Sequence, residues 1–160
     1  QHSEGHAAVK LTDEMWKDGL TPNHVTFVGV LSACSHAGLI EEAISQFDHM
    51  YHFFKINPIT EHFVCMVDLL GRSGCLDEAV DLLHTVPTPP DVVLWKSLFT
   101  SCRTYNNKEL GKWVFDQLVD LDKKCGVAYV CMRNMLTPNV ENDYMLECKL
   151  ERLKDSWVNP

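Results

Sequence analysis

Several side chains in this chain of 160 residues are of types that do chemistry. His2-Ser-Glu4 has the His-x-Glu form in which a histidine binds zinc and a glutamate shuttles protons. Such a centre needs a Cys-x-x-Cys to complete its ligands, and none follows. The seven cysteines are Cys34, Cys65, Cys75, Cys102, Cys125, Cys131 and Cys148. An odd number without any Cys-x-x-Cys pair predicts free thiols in a reducing compartment, not a disulfide framework or a zinc ribbon. Cys34, Cys65 and Cys102 stand inside apolar runs and read as small buried hydrophobes. Among His36, His49, His52, His62 and His84, only His49 and His52 are close enough in sequence to pair, and they read as a solvated helix end. Gly71-Arg-Ser-Gly74 lacks the Gly-Lys-Ser/Thr of a phosphate loop and reads as a turn between helices. No nucleophile stands beside a base. The expectation is no catalytic residue, no metal site and no cofactor.

Charge narrows the partner class. Acidic residues number 22 against 14 basic ones, a net charge of −8. That balance argues against a protein that binds nucleic acid mainly by neutralising phosphates. Residues 1–58 carry seven acids and three bases, and residues 59–91 carry six and one. Residues 92–125 reverse the sign, with four acids and six bases, and residues 126–160 hold five and four. Apolar residues make up 46% of the chain, enough for a core. No run of 18 apolar residues exists, so no membrane partner is expected. No apolar or Arg-rich leader with a cleavage site is present, and the initial Gln1 reads as an excerpt of a longer protein.

The elements that must position these residues emerge from an internal repeat. His24-Val-Thr-Phe-Val-Gly-Val-Leu-Ser-Ala-Cys34, Thr60-Glu-His-Phe-Val-Cys-Met-Val-Asp-Leu-Leu70 and Val92-Val-Leu-Trp-Lys-Ser-Leu-Phe-Thr-Ser-Cys102 each place an aromatic fourth: Phe27, Phe63 and Trp95. Tyr129 continues the series. Ala37-Gly-Leu-Ile-Glu-Glu-Ala-Ile44 matches Ser73-Gly-Cys-Leu-Asp-Glu-Ala-Val80 at the same offset, and Asn106-Asn-Lys-Glu-Leu-Gly is a weaker third copy. Each unit reads as two helices. Val30, Leu31 and Cys34 share one face, Gly38 suits a left-handed helix end, and Ile40, Ala43, Ile44, Phe47 and Met50 form a second stripe. The next unit repeats this with Met66, Val67 and Leu70, then Gly74, then Leu76, Ala79, Val80 and Leu83. The third offers Leu98, Phe99 and Cys102, then Leu110, Val114, Leu118 and Leu121. Glu41, Glu42, Asp77 and Glu78 fall in first turns, where the helix dipole favours negative charge. Ala43 and Ala79 would let paired helices approach closely. A helix pair of this size cannot bury its apolar face alone, so the predicted fold is all-α: an α-solenoid of stacked antiparallel helix pairs.

Residues 27–43 and 62–79 resemble pentatricopeptide repeats, of the plant subclass that mixes long and short motifs; a tetratricopeptide array fits the small and aromatic positions less well. On that resemblance, residues 1–23 are a partial repeat (its second helix), 24–59 a long motif and 60–91 a short one. Residues 92–125 are similar to the E motif that follows the last repeat, and 126–160 to a partial second E motif with a divergent cap. There Thr137–Asp143 breaks the expected pattern, and Met145, Leu146, Leu150 and Leu153 supply a short stripe. The resemblance implies single-stranded RNA as partner, rather than DNA, in a mitochondrion or chloroplast. The usual task of the subclass is recognition of a C-to-U editing site. One base is read per repeat, through the fifth and last residues of a motif. Carried over, the RNA-binding residues are Val28 and Ile59, Val64 and Asp91, and Asn23 from the broken first unit. Asp91 would accept from uracil or guanine, and Asn23 can both donate and accept. Val28, Val64 and Ile59 can only pack. The zinc-deaminase domain that some members carry at the C-terminus has no counterpart in His2-Ser-Glu4, so a deaminase would act in trans. The alternative is a protein-interaction scaffold of the editing complex, held through the E motif.

Overall fold

The structure is a computed structural model that describes residues 2–121 and 126–136. Among the described residues there are eight α-helices and no strand. They are α1 (His2–Lys17), α2 (His24–Ala37), α3 (Ile40–His52), α4 (Thr60–Arg72), α5 (Leu76–His84), α6 (Val92–Thr104), α7 (Lys108–Leu121) and α8 (Gly126–Leu136). The chain forms two compact units, 1–101 and 102–160. The predicted all-α class is the observed one.

The helix ends have local causes. Gly38 (φ 69°) closes α2: its amide bonds to the Ser35 carbonyl and the Leu39 amide to that of Cys34. Gly74 (φ 81°) repeats this after α4, with Cys75 N–H donating to Leu70 O at 2.9 Å. After α6 the left-handed residue is Asn106 (φ 51°), and Asn107 N–H donates to Cys102 O. Asparagine adopts this conformation more readily than other residues with a Cβ, so the third copy keeps the turn without glycine. In the first unit these short connections turn the chain back on itself, giving the antiparallel pairs α2–α3 and α4–α5.

In the first unit, α2 packs on α1, α3 and α4, while α4 packs on α2, α3 and α5. Val30, Leu31 and Cys34 of α2 meet Ala43 of α3 and Met66 and Leu69 of α4 in one apolar cluster. Phe27, Phe63 and Trp95 are buried, and Ala43 and Ala79 have no exposed surface. In the second unit, α7 packs on α8, and the Phe115 and Tyr129 rings meet edge-on at 5.0 Å.

Three expectations need correction. Ile44 and Leu121 each keep 52% of their surface exposed. The apolar stripe of α3 is wider than the surface its neighbours cover, and Gln46 is buried in that helix instead. Cys65 is half-buried in a groove wall and not in the core. Gly71 and Arg72 belong to α4 and not to a turn. Gly71 is buried because α6 crosses it closely: a Cβ there would stand 2.7 Å from Ser101 Cβ. The C-terminal stripe of Met145, Leu146, Leu150 and Leu153 lies outside the described residues, as do Cys125 and Cys148.

Gly71→Ala should therefore cost about 1–3 kcal/mol through overpacking. Gly29→Ala, in α2 with nothing within 4 Å of its new methyl group, should gain about 0.5–1 kcal/mol. Urea midpoints of the two variants should move in opposite directions.

Candidate nucleic-acid interface

The helices α2, α4 and α6 are the first helices of successive pairs, and their N-terminal turns carry the expected binding residues. Ile59 and Asp91 stand immediately before α4 and α6, while Val28 and Val64 lie in the second turns of α2 and α4. The structure brings these four together: they line one groove of about 620 Å³, along with Glu61 and Cys65. Asn23 stands apart, in a groove of about 400 Å³ between α1 and α2.

Asp91 and Asn23 also cap helices, which restricts what they offer a ligand. Asp91 Oδ1 accepts from the Val93 and Leu94 amides, both at 3.0 Å. This satisfies two of the free donors at the start of α6. Oδ2 has no partner among the described residues, so a charged acceptor remains. Asn23 Oδ1 accepts from the Thr26 amide at 3.1 Å, and Thr26 Oγ1 accepts from the Asn23 amide at 3.2 Å. The Asn23 carbonyl is thus committed, and its amino group is what remains to offer.

Ile59 has no side chain that can cap, and His62 takes over from three residues inside α4. Its Nδ1 accepts from the Ile59 amide at 3.0 Å, while Nε2–H donates to His24 O at 3.1 Å. Both ring nitrogens are used and the ring is fully buried. Burial lowers the His62 pKa below its usual 6.5, and the neighbouring His24 adds to this, against the opposing hydrogen bond to His24 O and the charge of Glu61. At the other end of the α2–α4 contact, Ser35 Oγ–H donates to Asp68 Oδ2 at 2.7 Å. Arg72 Nε lies 3.0 Å from the same oxygen. Between these two bonds, the Cys65 thiol approaches Val28 O at 3.9 Å.

Chemically the groove has apolar walls from Val28, Ile59 and Val64, and two carboxylates, Glu61 and Asp91; no Lys or Arg lines it. It suits a flat ligand face and an edge bearing N–H donors. The thiols are protonated at neutral pH: burial pushes Cys34 and Cys102 up to about 11 and raises Cys65 above 9.0. Among the described residues, no three His, Cys, Asp or Glu gather to hold a metal ion. His52 lies 3.4 Å from Asp48 on an exposed helix end, and the His49 ring lies 4.9 Å from that of Phe53. His2-Ser-Glu4 lies in the first turn of α1, where positions two apart do not share a face. Sequence reasoning missed His62 and Glu61. The signal for His62 was present, because it occupies the capping-box position that Thr26 holds one unit earlier.

A buried base whose pKa is lowered on folding contributes stability above its unfolded pKa and loses it as the pH falls through the folded value. Unfolding free energy should therefore decrease as the pH drops below about 6.5. His62→Phe should cost about 1–3 kcal/mol at pH 7, from the Ile59 amide left without its acceptor. It should also flatten that acid-side slope, as read from urea melts between pH 7.5 and pH 5.

Comparison with known proteins agrees with this architecture. The family model described as PPR repeat matches residues 25–52 and 61–85. Pentatricopeptide repeat-containing protein At2g13600 of Arabidopsis thaliana is 42% identical over 135 residues, which is 84% of this chain and 19% of that protein. Pentatricopeptide repeat-containing protein At2g03880, mitochondrial, of the same organism is 37% identical over 158 residues, covering 99% of this chain and 25% of that protein. Pentatricopeptide repeat-containing protein At3g49170, chloroplastic, is 38% identical over 135 residues, covering 84% and 16%. The chain thus spans a quarter or less of the length of these relatives. With its helix pairs, its two matched repeats and relatives that align along most of its length, the chain belongs to the pentatricopeptide-repeat family.

Proposed function

We propose that this chain is a single-stranded-RNA-binding segment of an organellar RNA-processing protein. The observation that carries the reading is the shared groove of Val28, Ile59, Val64 and Asp91. The apolar walls would hold a base by its face. The free Asp91 Oδ2 would accept from an N–H on its Watson–Crick edge, as uracil and guanine offer. Asn23 would contribute its amino group to the neighbouring base. The names of two relatives, one chloroplastic and one mitochondrial, support a plastid or a mitochondrion as the location.

The finer task in this proposal is recognition of a C-to-U editing site, with the deaminase supplied in trans. Residues 24–59 would act as a long motif, 60–91 as a short one and 92–125 as an E motif. A scaffold role in an editing complex is the second reading. It is favoured by the acidic groove, which offers nothing to neutralise a phosphate, and by residues 92–125, which carry six bases against four acids. Loss of partner capture on removal of residues 92–136, with no measurable RNA affinity in the intact chain, would favour that reading.

Asp91→Asn separates base reading from folding. An asparagine there keeps the Oδ1 cap on α6 and replaces the Oδ2 acceptor by a donor. Thermal midpoints should match the parent. On labelled single strands, the parent's preference for uracil or guanine over cytosine or adenine, about 1–3 kcal/mol at one position, should shift toward the latter pair. Indifference of every strand to the substitution would sink the RNA reading.

A further inference from the structure

We propose that the groove between α3 and α5 is a docking site for a cationic amphipathic helix of a partner protein. It lies outside the groove discussed above and does not depend on RNA binding. The helices α3 and α5 are successive second helices, and each packs on α4. Their far edges are left apart, and Met66 and Leu70 of α4 form the floor of a space of about 650 Å³. That is within the size range of specific binding pockets.

One wall is an apolar stripe along α3. Ile40, Ile44, Phe47 and Tyr51 recur at intervals of four, three and four, and all four line the groove. Ile44 and Tyr51 keep 52% and 47% of their surface exposed, so the stripe is only partly covered within this chain. A helix whose own apolar residues recur at i, i+3 or i+4 and i+7 matches such a stripe.

Charge selects the kind of helix. The lining includes Asp48, Glu78 and Asp81 and no Lys or Arg. Glu78 and Asp81 have no charged partner among the described residues, so their charge is available to a newcomer. Lys and Arg flanking the apolar anchors would complement this rim and steer association. A nucleic-acid backbone or an anionic bilayer would be repelled. A second copy of this chain, itself at −8, would be disfavoured too.

The test uses the full chain and a fluorescently labelled 18-residue helical peptide with Leu on one face and Lys on the other. A Leu/Glu peptide of the same pattern serves as control. Anisotropy should show saturable binding of the Leu/Lys peptide, weakening with added salt, and none of the Leu/Glu peptide. Glu78→Lys with Asp81→Lys should weaken binding at least tenfold. Asp13→Lys with Asp18→Lys, which changes net charge equally on α1 and in the turn after it, should leave it within twofold. Ile44→Ser, which changes no charge, should weaken it at least threefold with an unchanged circular-dichroism melt. Equal binding of both peptides, equal effects of the two charge-reversal pairs, or indifference to Ile44→Ser would each overturn the proposal. So would direct binding of labelled single-stranded RNA or of anionic phosphatidylserine vesicles to the chain, measured without the peptide, that Ile44→Ser weakens.

Discussion

The register of α2 against α4 is the constraint on which the candidate interface depends. Two side-chain bonds set it from opposite ends. Near the N-termini, buried His62 bridges the Ile59 amide and the His24 carbonyl. Near the C-termini, Ser35 is tied to Asp68. The apolar cluster between them supplies the cohesion, but it is non-directional and would tolerate small slips. Directional bonds at both ends exclude those slips, and a buried donor left unpaired by a slip costs about 1–3 kcal/mol. With the register held, Val28, Ile59, Val64 and Asp91 come to line one groove.

Capping and recognition share the same atoms. An N-cap carboxylate or amide must turn one oxygen toward the first amides of its helix. That fixes the side-chain rotamer and leaves the second polar atom in a defined direction. Asp91 spends Oδ1 on α6 and keeps Oδ2; Asn23 spends Oδ1 on Thr26 and keeps its amino group. An oriented side chain discriminates better than a free one, because less rotamer entropy is lost on binding. Ile59 breaks the scheme: its side chain caps no amide of α4, and the buried ring of His62 accepts from the Ile59 amide, the reciprocal half of a capping box.

The acidic charge acquires a place. In the groove lined by Val28, Ile59, Val64 and Asp91, two carboxylates and no Lys or Arg leave hydrogen bonding and apolar contact as the available forces. In the groove between α3 and α5, carboxylates border an apolar stripe that is wider than its own chain covers. Acidic side chains thus border two surfaces with different chemistry, both of which include residues of α4.

Repeat period, helix count and core were legible in the sequence, because they rest on local spacing. Phe27, Phe63 and Trp95 announced the repeat, and Gly38 and Gly74 announced the turns. Asn106 was harder to read, since asparagine serves the left-handed turn less often than glycine. The five candidate residues could be named only through family resemblance, since nothing in Val28 or Val64 as residue types points to a ligand. What the sequence alone determined is which residues are apolar, at what period, and hence an all-α stack of helix pairs. The tertiary structure decided which apolar residues remain uncovered, such as Ile44. It also decided that His62 would be a buried bridge between repeats. The bonds between repeats, Ser35 to Asp68 and His62 to His24, join residues 33 and 38 positions apart, and local spacing carries no record of how such residues meet.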